Sequence, residues 1–188
     1  MGLQPRLNYD MRQVDRVARE LGASERQVRV AFRRALSRTG TTLRARARKD
    51  LREGLDLRSA KPIRNRLRLI RFKARGGRDL GALRLWMGAN DMATSAFKGR
   101  ATVTPEGVSY RGEVFKRAFI ARFNKMNDRR IFQRTGPGRL PIEVAKIEVE
   151  EDVKEYAERV AFQQVDDLFM SNFVRELRAR TIYKVGRT

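Results

Sequence analysis

The chain of 188 residues carries 43 Lys and Arg residues against 22 Asp and Glu residues, a formal net charge of +21 at pH 7. It contains no cysteine and no histidine, which excludes disulfides, zinc–thiolate sites, cysteine nucleophiles and Ser-His-Asp triads. No apolar segment approaches the ~20 residues of a membrane span, and the N-terminus lacks the apolar core of a secretion signal. We therefore predict a soluble protein, made in the cytoplasm, that is not an enzyme and uses no cofactor.

The positive charge is unevenly distributed along the chain. Residues 1–140 have a net charge of +23, residues 141–188 have −2, and the densest stretch, residues 26–78, has +16. Such self-repulsion destabilises a compact chain unless a polyanion or an assembly neutralises it. The distribution predicts two compatible uses: contact with nucleic acid, and contact between the near-neutral C-terminal part and the basic body of a neighbouring copy.

Two helices are predicted at the N-terminus, the first capped by Asn8 or Asp10. The second begins with a capping box, because Ser24 is followed by Gln in the S-x-x-Q pattern, and it continues to about Leu55. Gly40 in its middle predicts a kink or a close contact. One face of this helix is apolar over Val28, Phe32, Leu36, Thr39, Leu43 and Ala47.

The arginines of the second helix are the most distinctive candidate contact residues. All but Arg46 point away from the apolar face, and Arg46 lies at its edge, as is typical of a subunit contact. Each arginine that neutralises a phosphate releases counterions; the alternative is a solvated face whose arginine stems cover apolar surface. The candidate residues for facing DNA or contacting another subunit are Arg33, Arg34, Arg38, Arg44, Arg46 and Arg48.

Antiparallel strands are predicted in the middle of the chain. Apolar and polar residues alternate over Leu67–Phe72 and again over residues 83–88, with a turn between them at residues 75–78. Residues 105–107 (Pro-Glu-Gly) indicate a hairpin, whereas residues 91–97 show no clear pattern. Further extended segments are predicted over residues 115–123, 130–134 and 140–147.

Two weak motifs have simpler explanations. The glycines at 76–77 and 136–138 lack the spacing of phosphate-binding loops, and turns explain them. Glu148, Glu150, Glu151 and Asp152 would suit a hard cation, but acidic residues are also common at the positive N-terminus of a helix.

Aromatic and basic residues alternate on one predicted strand. Phe115, Phe119 and Phe123 are interleaved with Arg117 and Arg122. This pattern resembles the stacking strand of a protein that binds single-stranded nucleic acid. Core packing beneath a charged sheet face is the alternative.

A long C-terminal helix is predicted over residues 150–180. At 1.5 Å per residue it would span ~45 Å, longer than a domain of this size needs. We therefore expect part of its apolar face to pack on another subunit, with Val153, Phe169 and Phe173 as candidate oligomer contacts.

The order of elements predicts an α+β protein with N-terminal helices, a central antiparallel sheet and a long C-terminal helix. We expect one domain over residues 1–188. Its parts are a basic helical part at 1–58, a sheet at 59–147 and the C-terminal helix at 148–188.

Three sequence blocks, in this order, carry a family resemblance. The first is AFRRALSRT at residues 31–39, continued by TTLRARA at 41–47. The second pairs AFIAR at 118–122 with RIFQRTG at 130–136, and the third is RLPI at 139–142. Together they resemble the prophage minor tail protein Z family. The chain departs from that family in the loop at 126–128, where a His-Gly pair is common, and after the RLPI block.

The resemblance implies a virion protein that completes the head-proximal end of a phage tail before head–tail joining. It further implies a homo-oligomeric, hexameric ring in the tail or neck, assembled in the host cytoplasm without a membrane. The implied partners are the tail tube or tail terminator, the head connector proteins, and packaged double-stranded DNA bound non-specifically. The alternative is a free-standing basic nucleic-acid-binding protein; an enzyme is a third hypothesis, without a visible catalytic constellation.

Overall fold

The computed structural model describes residues 2–3, 10–72, 80–122, 129–159 and 165–185. Helices come first, strands follow, and helices end the chain, so the predicted α+β class is confirmed. The helices are α1 (Met11–Glu20), α2 (Glu25–Gly54), α3 (Lys61–Arg64), α4 (Glu150–Arg159) and α5 (Val165–Thr181).

The strands form several small antiparallel sheets instead of the one central sheet that was predicted. In the described residues, the sheet orders are β1-β3-β2, β5-β6-β7, β10-β9-β8 and β11-β4. The strands are β1 (Gly2–Leu3), β2 (Leu67–Phe72), β3 (Ala82–Gly88), β4 (Met92–Ala93), β5 (Thr102–Thr104), β6 (Gly107–Tyr110), β7 (Glu113–Lys116), β8 (Ala118–Ala121), β9 (Arg130–Arg134), β10 (Ile142–Val144) and β11 (Lys146–Ile147).

The N-terminal helices begin where their capping residues predict. The Asp10 side chain accepts a hydrogen bond from the backbone N–H of Arg12 at the start of α1. At the start of α2, Ser24 Oγ accepts from the Gln27 backbone N–H, and the Ser24 N–H donates to Gln27 Oε1. This reciprocal capping box satisfies two free backbone donors. The helix that it opens is 30 residues long, which corresponds to ~45 Å.

Gly40 allows α2 to lie directly against the β2–β3 pair. A Cβ added at Gly40 would lie 2.4 Å from Leu83 Cδ2 and 3.3 Å from Leu69 Cδ2. The close-contact alternative is therefore the one observed, and α2 continues through Gly40. Leu83, Leu85 and Met87 alternate toward this buried side of β3.

The main core lies between α2 and α5. The Phe32 ring meets the Phe169 ring edge-on at 5.0 Å between centroids, and Phe169 stacks on Phe173 at 6.1 Å. Gln27 Nε2 donates to the Arg180 carbonyl and Asn172 Nδ2 donates to Thr39 Oγ1, so the two helices run in opposite directions.

This packing corrects the prediction of oligomer contacts on the C-terminal helix. Val153 and Phe169 are each 1% exposed and Phe173 is fully buried within this single chain. The apolar face was identified correctly, but the same molecule buries it. Phe169 and Phe173 pack on α2 because α5 folds back onto that helix, and Val153 is buried on α4. These three side chains are therefore unavailable to a second copy.

In place of the single helix predicted over residues 150–180, the structure has two helices, α4 and α5. Residues 160–164 between them lie outside the described part of the chain. Tyr156 joins α4 to α2, because its hydroxyl donates to Asp50 Oδ2 at 3.0 Å.

The predicted strand over residues 115–123 is two strands in two sheets. Arg117 has a φ of 59° and turns the chain between β7 and β8, and its N–H donates to the Glu106 carbonyl at 2.7 Å. The strands at Leu67–Phe72 and Arg130–Arg134 and the hairpin at 105–107 are confirmed. Phe123 and the predicted turn at 75–78, with the glycines at 76–77, lie outside the described residues.

Candidate functional site

The six arginines singled out on α2 are all exposed. The buried face of α2 packs against α5 and the β2–β3 pair, which leaves the remaining face to solvent. We define the basic ridge as the five arginines that lie away from the buried face: Arg33, Arg34, Arg38, Arg44 and Arg48. A single capped helix thus holds several positive charges in fixed relative positions.

The arginines of the basic ridge differ in whether a neighbouring group forms an ion pair or a hydrogen bond with them. Arg38 Nε lies 2.8 Å from Glu176 Oε1, so a carboxylate partly neutralises it. Arg44 donates to the Arg64 carbonyl at 3.5 Å and makes no ion pair with a described residue. Arg33, Arg34 and Arg48 form no side-chain hydrogen bond or ion pair with any residue in the described ranges. The ridge therefore offers most of its charge to a partner.

Arg46 belongs to a different surface, where α4 packs on α2. Burial and the hydrogen bond to Asp50 raise the pKa of Tyr156, and the positive charge of Arg46 acts in the opposite direction, toward a lower pKa. Such an effect requires Arg46 to lie close to the Tyr156–Asp50 pair. Its predicted place at the edge of the apolar face agrees with this position.

A buried ionic cluster holds α5 on α2. Glu176 is 4% exposed and lies between two arginines, with Oε1 on Arg38 and Oε2 at 2.8 Å from Nη1 of Arg180. Arg180 Nη1 also donates to the Glu176 carbonyl. The sequence analysis did not identify Glu176 or Arg180 as functional residues. The available signal is that they lie four residues apart on a helix with an apolar face.

A second candidate surface is the outer face of the β2–β3 pair, where cations lie over aromatic rings. The Arg68 guanidinium lies 5.8 Å from the Trp86 ring centroid, and that of Arg84 lies 5.1 Å from the Phe72 ring centroid. Ile70 is 37% exposed and Phe72 is 46% exposed on the same face. We call this set the cation–aromatic face. The alternation that predicted these strands was the signal for it.

The aromatic strand predicted at 115–123 does not form one stacking surface. Phe115 is buried in the β5-β6-β7 sheet. Phe119 lies in the β10-β9-β8 sheet, stacks on Phe132 at 6.1 Å, and has the Arg134 guanidinium 4.6 Å from its ring centroid. The turn at Arg117 separates the two phenylalanines, so the core-packing alternative describes Phe115.

The acidic residues at the start of α4 lie in the first turn of that helix, next to its positive N-terminus. Lys154 Nζ lies 3.1 Å from Glu150 Oε1 and 3.3 Å from Glu151 Oε1, and these hydrogen bonds raise the pKa of Lys154. The described residues contain no group of three or more acidic side chains able to hold a metal ion. Residues 136–138 lie in a bend before β10, in agreement with the predicted turn.

A third surface is a cleft of about 370 Å³ lined by four arginines. It lies between the 3₁₀ turn at Thr94–Ala96, the start of β5, and strands β6, β8 and β9. We call it the arginine cleft. The residues that matter most for its chemistry are Arg58, Thr94, Arg100, Arg129 and Arg130.

Across the described ranges, no helix combines the length and apolar character needed to cross a membrane. Comparison of the chain with protein-family models, with curated proteins and with solved structures finds no match.

Proposed function

We propose that this protein is a structural subunit of a phage tail or neck, which completes the head-proximal end of the tail and forms a ring around the DNA path. The observation that carries the proposal is the basic ridge, which presents several exposed arginines on one rigid 30-residue helix. A fixed row of arginines suits a regular polyanion, since each contact neutralises a phosphate without reading sequence.

The three blocks that carry the family resemblance occupy two parts of the fold. The first block lies on α2 and supplies four of the five arginines of the basic ridge, and Arg48 follows it directly. The second and third blocks supply β8, β9 and the approach to β10, which form one sheet. A structural role for this sheet, with the ridge as the contact surface, supports a subunit that acts by shape and charge.

The proposal is tested by light scattering and negative-stain imaging of the purified protein, with and without purified tail tubes. We expect rings, or added density at one end of the tube only. The triple variant Arg33→Gln, Arg34→Gln, Arg48→Gln is expected to bind DNA more weakly. The single variant Arg34→Gln is compared with Arg46→Gln, which removes the same charge on the other side of α2 and is the matched control. A protein that stays monomeric at high concentration and ignores tail tubes contradicts the proposal.

The second candidate function is a free-standing nucleic-acid-binding protein, which the cation–aromatic face favours. Bases stack on exposed aromatic rings and arginines contact the backbone. Trp86, the single tryptophan of the chain, lies on this face, so its fluorescence reports binding there. Single-stranded DNA is expected to quench this fluorescence with a steep salt dependence. A mobility shift without any quenching would place the DNA elsewhere and remove support for this function.

A further inference from the structure

The arginine cleft has the size of a small-ligand site. Its volume of about 370 Å³ lies in the lower part of the range of roughly 300–1,000 Å³ seen for ligand pockets. Residues from distant parts of the chain converge on it. Arg58 follows α2, Thr94 begins the short turn, Arg100 comes shortly before β5, and Arg129 and Arg130 lie where β9 begins. The cleft is thus part of the tertiary fold and not a gap within one loop.

The charge of the cleft is one-sided. Four arginines contribute to its lining, and none of the described lining residues is acidic. Arg58 is held in place because its Nε donates to the Phe97 carbonyl at 2.7 Å. Within the described part of the chain, no carboxylate pairs with it. Asp56, two residues earlier in the chain, lies 3.6 Å from Arg111, which is not among the lining residues. Such a cavity favours an anionic ligand.

Two donors at the cleft have no hydrogen-bond partner in the described part of the protein. They are the Thr94 hydroxyl, on a residue that is 2% exposed, and Nε of Arg130. Burying a donor without a partner costs free energy, and most buried donors in proteins have one. Both donors belong to residues that line the cleft, so a small shift of these side chains on binding would let an acceptor recover that cost.

We infer that the arginine cleft binds a phosphate group, carried either by a nucleic-acid backbone or by a small phosphorylated compound. Guanidinium groups donate paired hydrogen bonds that match the oxygens of phosphate, and several arginines together suit a multiply charged anion better than a single carboxylate. The Thr94 hydroxyl adds a neutral donor. The inference does not depend on ring formation or on a tail.

The test is calorimetric titration of the full chain with inorganic phosphate. We expect saturable binding that weakens at least about tenfold in the double variant Arg100→Gln, Arg129→Gln, whose members are exposed and make no ion pair with a described residue. Thr94→Val keeps the shape of the side chain and removes only the hydroxyl, so phosphate binding is expected to weaken while the melting temperature does not fall. The double variant Arg26→Gln, Arg52→Gln removes two exposed arginines of α2 outside the cleft and is the control for net charge.

A short DNA duplex added to the phosphate-loaded protein distinguishes the two sources. Displacement of phosphate by the duplex assigns the site to a nucleic-acid backbone, and retention of phosphate assigns it to a small phosphorylated compound; both results support the site. Three results overturn it: no saturable phosphate binding, an equal loss in the Arg26→Gln, Arg52→Gln control, or acetate binding as tight as phosphate.

Discussion

Gly40 shows how one missing side chain determines the distance between two elements. It is surrounded by Leu69 and Leu83, which leave no room for a Cβ on α2. Glycine lowers helix stability by about 1 kcal/mol relative to alanine, so its presence in the middle of α2 needs a compensating gain. The gain is the close packing of α2 on the β2–β3 pair.

Gly40→Ala is therefore expected to destabilise the protein, although alanine is the better helix former. Overpacking costs about 1–3 kcal/mol and the propensity gain is about 1 kcal/mol, so at the middle of the overpacking range the net loss is about 1 kcal/mol. Urea unfolding measures it. Gly54→Ala is the matched control, because a Cβ at Gly54 meets nothing within 4 Å; it should be neutral or stabilising. Equal stabilisation by both variants would contradict the packing.

Glu176 carries the buried ionic cluster between α2 and α5. Removal of one partner from a buried ion pair leaves the other charge uncompensated and costs about 3–5 kcal/mol. We expect Glu176→Gln to lower the free energy of unfolding by about 3 kcal/mol, since Arg180 would stay buried without its carboxylate.

The control for Glu176 is an exposed pair with the same spacing. Glu155 Oε1 lies 2.6 Å from Arg159 Nη1, and both side chains are more than half exposed. Surface pairs contribute about 0–1 kcal/mol, so Glu155→Gln should change stability little. Similar losses from Glu155→Gln and Glu176→Gln in chemical unfolding would show that burial does not matter here.

At the scale of elements, local signals predicted the helix starts well. The capping residues Asp10 and Ser24 act within three residues of themselves, and the period of the apolar residues defines α2 through its whole length. The hairpin at residues 105–107 was also predictable, since its turn residues restrict the backbone. Structural features that depend on a few neighbouring residues can therefore be predicted from the sequence.

The break at Arg117 had no such signal. The alternation of Phe115 and Phe119 with basic residues continues through it, and an arginine rarely adopts a positive φ. Only contacts distant in sequence, such as the bond from Arg117 to the Glu106 carbonyl, show where one sheet ends and the next begins. For the same reason, the apolar pattern of α5 predicted a buried face but not which molecule buries it.

The candidate sites divide in the same way. The basic ridge was predictable because it lies on one helix with a known period. The arginine cleft was not, because Arg58, Arg100 and Arg130 are brought together by three separate segments. Its sequence signal is only that these arginines lie near turns, which many arginines of this chain also do.

Tyr156 joins α4 to α2, and its pKa makes this contact sensitive to high pH. Burial, then the hydrogen bond and the charge of Asp50, raise the pKa of Tyr156 above the ordinary value of about 10. The folded state holds this proton more tightly than the unfolded state. The stabilisation of the folded state that comes from the raised pKa of Tyr156 is therefore fully present below pH ~10. It is lost as pH rises from there through the folded pKa.

Tyr156→Phe is expected to lower the free energy of unfolding at neutral pH by about 1 kcal/mol. It should also remove the part of the decline in the free energy of unfolding above pH ~10 that comes from Tyr156. Urea unfolding on both sides of that pH measures both effects as a difference from the unaltered protein. Tyr183→Phe is the control, since Tyr183 is 73% exposed and its hydroxyl makes no hydrogen bond with a described residue. Parallel pH profiles for the unaltered protein and Tyr156→Phe would contradict this account.

At the scale of the whole molecule, the net charge of +21 opposes folding. Salt shortens the range of charge repulsion from about 30 Å at 0.01 M to about 8 Å at 0.15 M. We therefore expect the melting temperature to rise by several degrees over this range, and to rise further with a polyanion such as polyphosphate. The triple variant Arg33→Gln, Arg34→Gln, Arg48→Gln should show a weaker dependence. A melting temperature that falls with salt would mean that ion pairs outweigh the repulsion.

The acidic helix α4 has a consequence for the rate at which the protein meets a polyanion. Through Tyr156 and Asp50, α4 packs on the side of α2 that faces away from Arg34 and Arg48. Negative charge on one side and positive charge on the other give the molecule a permanent electric dipole. Such a dipole orients the molecule as it diffuses toward a polyanion, so that the basic ridge faces the polyanion before contact is made. Association kinetics should therefore depend on ionic strength more strongly than dissociation kinetics do.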